Sequence, residues 1–272
     1  MADCLSISNS YLWTRYQDQF NLQCRESAGK AVQTACPPGT QFCAVYEFHE
    51  TEETPAKVSP RKKMNVEVLP VVHGQYNSFV IEDVTYLGAT CGPAEKKIIR
   101  GFDQIFRQVT PSLKNAKIDQ ENEEALRIAA SFNWQVGSIT MDCREFVSVF
   151  QLPPLLRGVE IGKKLTGLID NALPAGPLLG FFGAAHVYRY PISPEIEMFS
   201  FGPRYDERLG KGYVTVGLLR EDLADQFILP HQGEIDANNY SNIWKQLIPD
   251  QGNLMLQPDP LFDPDSYLIF YK

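Results

Sequence analysis

The sequence predicts an α+β fold: a mainly antiparallel sheet with a central helical segment, stabilised by disulfides. Three observations predict it. Strand-like runs occupy the first and last thirds, helical periodicity occupies the middle third, and four of six cysteines fall within the first 43 residues. Strands first, helices next and strands last is an α+β order rather than a regular βα alternation.

Residues 1 to about 40 carry cysteines and scattered aromatics without clear periodicity. From Phe42 to Phe48 the chain is rich in β-formers and bounded by turn residues, which predicts a strand. Residues 50–63, with prolines and mixed charge, read as a linker or exposed loop. Strands over Asn65–Val72 and Ser78–Leu87, separated by the turn at 73–77, predict a hairpin. Gly92-Pro93 then opens a helix, with proline where the missing N–H costs nothing. Ile98, Ile99, Phe102, Ile105, Phe106 and Val109 give it one apolar face, and Thr110-Pro111 ends it. A second helix starts after Asp119, whose acidic followers Glu121, Glu123 and Glu124 suit a helix N-terminus. Short helices fit 144–150 and 159–169, though Gly158, Gly162 and Gly167 weaken the latter. Strands return at 186–190, 195–199, 213–218 and 267–271, with short helices at 221–227 and 238–247. No internal repeat appears. The expected division is a cysteine-rich segment over 1–49 continuous with the core, then an α+β domain over 64–272, or one single domain throughout.

A chain of 272 residues, 44% apolar and 21% charged, is long enough for a real core and too apolar for disorder. A net charge of −8 and a pI near 5.1 exclude a basic nucleic-acid surface. The cluster Arg61-Lys62-Lys63 reads as a solvated loop. The first fifteen residues lack a charged region followed by an apolar run, so no signal peptide is expected, and Met1-Ala2-Asp3-Cys4 reads as a mature secreted start. The uncharged stretch 171–188 is broken by prolines and glycines, which predicts buried core and no membrane span.

Six cysteines permit a complete disulfide framework. No C-x-x-C or H-x-x-x-H spacing supports zinc, and no metal or other cofactor is predicted. Cys36 with Cys43 is the favoured pair, because Pro37-Pro38-Gly39 folds the segment back and makes loop closure cheap. Cys4 with Cys24 and Cys91 with Cys143 complete the expected set. A disulfide-bonded protein implies an oxidising, extracellular compartment.

Catalytic signatures are sparse. Neither G-x-S-x-G nor H-E-x-x-H occurs, and no Walker or dinucleotide glycine pattern is present. Of four histidines, His231 sits in the most polar cluster, beside Glu234 and Asp236. A histidine with two carboxylates suits acid–base work, and a plain surface loop suits the same composition. His186 follows a glycine-rich apolar run and reads as a buried, hydrogen-bonded histidine. These four, His186, His231, Glu234 and Asp236, are the first catalytic suspects. Asp259, Asp263 and Asp265 fail the EF-hand spacing. Asn239-Tyr240-Ser241 is a glycosylation triplet at Asn239. Tyr11, Trp13 and Tyr16 could stack on sugar rings, or pack in the core.

The run from Cys24 through Gly29-Lys30, Val32 and Cys36-Pro-Pro-Gly39-Thr40 to Cys43 resembles a pattern in secreted fungal cysteine-rich proteins, including some chitin-binding modules. The resemblance covers about twenty residues and implies an extracellular fungal protein that contacts cell-wall polysaccharide. Those modules are small and self-contained, whereas here the segment runs directly into a strand.

Two functions are therefore expected. The first is a secreted, disulfide-stabilised binding or effector-like protein whose partner is a glycan or a host protein. The second is an extracellular, hydrolase-like enzyme with a site assembled from distant histidine and carboxylate residues.

Overall fold

The computed structural model describes residues 23–25, 27–47, 64–100, 117–191, 193–220, 253–256 and 266–271. Its centre is an eight-stranded sheet in the order β1-β7-β8-β6-β2-β5-β3-β4. The strands are β1 (Gln23–Arg25), β2 (Phe42–Glu47), β3 (Ser78–Leu87), β4 (Gln135–Asp142), β5 (Leu178–Gly183), β6 (Tyr213–Arg220), β7 (Asn253–Leu256) and β8 (Tyr267–Tyr271). From β8 to β4, six neighbouring strands run parallel. Only β7 and β1, at one edge, pair antiparallel.

The expected mainly antiparallel α+β sheet is thus overturned: the chain has an α/β fold. The physical reason lies in burial. A parallel sheet covered on both faces has strands that read as continuous apolar runs, without the in–out alternation that marks an antiparallel strand. Leu178 to Phe182 are all buried, and this strand hid inside the glycine-broken stretch before His186.

Helices cover the two faces. On one lie α1 (Ala28–Ala35), α2 (Met64–Val72) and α4 (Lys117–Ser131), and on the other α5 (Cys143–Phe150), α6 (Pro154–Ala172) and α7 (Gly202–Leu209). Positions 93–100 form a further helix, α3. Alternate residues of each strand divide between the two cores: in β2, Phe42, Ala44 and Tyr46 join the α6 side, and Cys43 and Val45 the α1 side. Helix α1 is capped by Ser27, whose side chain accepts from the Lys30 N–H at 3.3 Å. Its buried Ala28, Ala31, Val32 and Ala35 form one helical stripe.

The predicted hairpin fails at its first strand, because residues 64–72 are helix α2. Val66, Val68, Val71 and Val72 favour a strand locally, yet Val68, Leu69 and Val72 are fully buried at helical spacing. Packing against α1 decides it. A Cβ on Gly29 of α1 would stand 2.8 Å from the Glu67 carbonyl oxygen, so glycine there permits the close approach.

Other boundaries shift. The weak helix at 159–169 is part of the long α6, whose Ile161, Leu165, Ile169 and Ala172 reach the core. The predicted strands at 186–190 and 195–199 are replaced by single helical turns, Ala184–Val187 and Pro194–Glu197. The helices expected at 221–227 and 238–247 lie outside the described residues.

Among the described residues two disulfides are present, Cys36–Cys43 with Cα atoms 6.1 Å apart and Cys91–Cys143 at 5.0 Å. The first joins the end of α1 to β2, and the second ties the end of β3 to the start of α5. The expected partner pair Cys4–Cys24 lies outside the described side chains. No described helix is long and apolar enough to cross a membrane.

Candidate functional site

The carboxyl end of β5, level with the middle of β3, brings together two residues that no local pattern links. Strand β3 pairs with β5 only as far as Ile81. Along its other edge, the pairing with β4 jumps from Val80–Gly137 to Val84–Ile139, so residues 81–83 bulge opposite a single residue. Bulges re-aim side chains, and they recur beside active sites. Glu82 stands at this point. Its Oε2 accepts a hydrogen bond from the Gly183 N–H at 2.6 Å, where β3 has ceased to pair with β5.

His186 follows three residues after β5, on the helical turn Ala184–Val187. Its Nε2 lies 3.4 Å from Glu82 Oε1, and its Nδ1–H donates to the Phe199 carbonyl oxygen at 3.1 Å. The ring is 7% exposed as a residue and packs edge-on to Phe199, with Phe201 stacked at 6.4 Å. The backbone is pinned on both sides: the His186 carbonyl accepts from the Phe201 N–H at 2.8 Å and from Ser200 Oγ at 3.1 Å.

This geometry sets the protonation state. Burial alone would lower the His186 pKa, but the hydrogen bond and charge of Glu82, helped by the Phe199 carbonyl, outweigh it and leave the pKa raised. With Nδ1–H committed to a carbonyl, a neutral imidazole would turn its Nε2 lone pair on a carboxylate. A proton on Nε2 removes that conflict. The geometry favours the imidazolium form of His186, with Glu82 and the ring each held by a backbone group.

The surroundings are rigid. Gly162 of α6 admits the Phe199 backbone so closely that a Cβ there would lie 2.6 Å from the Phe199 oxygen, the His186 acceptor. A Cβ on Gly202 would lie 2.1 Å from the Tyr188 carbonyl. Buried Arg189 pairs with Asp206 at 3.3 Å, donates to the Tyr213 carbonyl and lies over the Tyr213 ring at 5.2 Å. The Tyr213 hydroxyl donates to the Val187 carbonyl at 2.8 Å. Register places Glu47, the last residue of β2, opposite Gly183 of β5. Among the described residues, no group of three or more His, Cys, Asp or Glu is placed to hold a metal ion.

Of the sequence-predicted catalytic suspects, His186 is here, buried and hydrogen-bonded. His231, Glu234 and Asp236 lie outside the described residues, as do Tyr11, Trp13, Tyr16, Asn239 and the aspartates at 259, 263 and 265. Sequence reasoning missed Glu82, Gly183, Phe199 and Gly162. Glu82 had one signal: an acid directly after the apolar run Phe79-Val80-Ile81.

The chain matches no protein-family model, and no curated protein matches it. It aligns with two solved structures. One is a succinoglycan biosynthesis protein, 15% identical over 47% of this chain and 28% of that one, with a TM-score of 0.23. The other is a Bacillus cereus protein, 15% identical over 64% of this chain and 49% of that one, with a TM-score of 0.28. The chain spans less than half the length of each. Likeness at this level assigns neither fold nor activity.

Proposed function

We propose that the protein is an extracellular hydrolase whose proton-transfer pair is Glu82 and His186. The observation that carries this reading is the 3.4 Å contact between a raised-pKa imidazole and an anchored carboxylate at the carboxyl ends of a parallel sheet. Ligands of open α/β sheets bind outside those ends. Chain connections leave the neighbouring strands β2 and β5 over opposite faces, through α2 and α7 respectively. Two disulfides support the extracellular part of the reading, because such bonds persist in oxidising compartments.

The pair presents a proton acceptor and a proton donor side by side. Glu82 takes a proton from a water molecule as its oxygen attacks the electrophilic carbon of an ester, amide or glycoside. His186 Nε2–H delivers a proton to the leaving group as the scissile bond breaks. Return of the proton from Glu82 to His186 resets the pair along their direct contact. Charge is conserved at each step, and no group changes oxidation state. Fixed positioning of both partners supplies the advantage over free imidazole and acetate in solution.

The test uses oxidised, folded protein with panels of chromogenic esters, glycosides and peptide anilides. Hydrolysis of one class is expected, and Glu82→Gln or His186→Gln should each lower its rate by about 10²–10⁴-fold. Full activity in either variant, or a folded protein inert towards every panel, removes the proposal.

A further inference from the structure

At the opposite end of the same sheet a concavity gathers aromatic and amide side chains. It has a volume of about 450 Å³ and is formed by the segments 73–77 and 132–135 with Ala175. These segments precede β3, β4 and β5, so the cavity lies at the amino ends of the strands. From Asn77 to Glu82 the chain rises about 16 Å along β3, which separates this cavity from the His186 pair.

The cavity is built rather than incidental. The Gln135 N–H donates to the Asn77 carbonyl at 2.9 Å, the Trp134 N–H to the Ala129 carbonyl at 3.3 Å, and Asn77 Nδ2 to the Ala175 carbonyl at 3.2 Å. These bonds lace the walls together before any ligand arrives. Asn133 holds a left-handed backbone, φ 59°, at an exposed position of the lining. The Tyr76 hydroxyl is buried and has no hydrogen-bond partner among the described residues, which is uncommon for a native polar group.

The aromatic rings define the ligand. His73 lies 4.2 Å from Phe132 at 36° and 6.4 Å from Trp134 at 29°. Phe132 meets Trp134 at 5.5 Å and 63°, and Tyr76 meets Trp134 at 6.3 Å and 71°. His73 is exposed and Phe132 half-buried, and together they front the buried Trp134 and Tyr76 as a tilted aromatic wall. A puckered ring with C–H groups on one side fits such a wall, and hydroxyls on its edge suit amides. The lining contains no Asp, Glu, Lys or Arg, and its polar groups include His73, the Tyr76 hydroxyl and the amides of Asn77, Asn133 and Gln135, which suit a neutral polyhydroxylated ligand.

We propose that this cavity is a carbohydrate-binding site that takes a neutral pyranose unit of a glycan. This site is independent of the His186 pair, and a failure of either leaves the other standing.

The test is titration of the full chain with N-acetylchitotriose, cellotriose and maltotriose, followed by Trp134-dependent fluorescence and calorimetry, with adenosine and guanosine as controls. At least one trisaccharide should bind. His73→Ala should weaken that binding about tenfold, the loss of roughly one ring contact. Asn133→Gly keeps the left-handed backbone and removes the amide, and it should weaken binding while leaving the thermal midpoint unchanged. Absence of binding to all three sugars by folded protein overturns the proposal. So does unchanged affinity in both variants, or tighter binding of the nucleosides than of any sugar.

Discussion

An imidazole whose Nδ1–H is held by a carbonyl has one nitrogen left for chemistry, and in His186 that nitrogen faces Glu82. The folded pKa is raised above the ordinary 6.5. Stability from this pair is therefore complete below the unfolded value and is lost as pH rises through the higher folded one. The gap in thermal midpoint between the native chain and Glu82→Gln should be widest below pH 6.5 and shrink as pH rises above it. A gap that widens with pH contradicts the pairing. Catalysis that needs His186 protonated should decline with one proton over the same upper range. At this scale the sequence was half legible. His186 stood out after a glycine-rich run, whereas Glu82 became its partner through a register between β3 and β5 that no local pattern encodes.

Helix α6 reaches the site through one missing side chain. Gly162→Ala would drive a methyl group to 2.6 Å from the Phe199 oxygen, so the Phe199 backbone must move. The expected cost is about 1–3 kcal/mol in denaturant unfolding, as for other overpacked contacts. His186 should lose part of its pKa elevation at the same time, because its acceptor moves. A Gly162→Ala chain as stable as the native one would show that the contact relaxes freely. The disulfides act between elements. Cys91–Cys143 closes a separation of 52 residues and Cys36–Cys43 one of 7. Chain entropy then assigns about 4 kcal/mol to the first and about 2 kcal/mol to the second. Double serine replacement of each pair, followed by urea unfolding, should rank them in that order. Elements with strong local signals were read correctly, such as Ser78–Leu87 and Tyr267–Tyr271. Met64–Val72 was misread because its valines favour a strand, and the contact with α1 that makes it helical lies far away in sequence.

Across the whole molecule, six parallel strands between two helical layers create two ends with different contents. The carboxyl end carries the buried acid–base pair, and the amino end carries a neutral aromatic cavity. An α+β expectation conceals this polarity, since strands of a mixed antiparallel sheet do not all end on one side. The order of elements was legible only in part, since β4 and β5 were missed and Met64–Val72 was read as a strand, and parallel pairing was not legible at all. It depends on which strand inserts between which, and β5 enters between β2 and β3 only after the chain has already built β4. The central claim concerns the carboxyl end, and it has a direct measurement. Nitrogen-15 NMR titration of the His186 imidazole in the native chain and in Glu82→Gln reports the shared proton without a substrate. The native ring should titrate above 6.5, and the Glu82→Gln ring below its native midpoint. The same midpoint in both proteins would contradict the account.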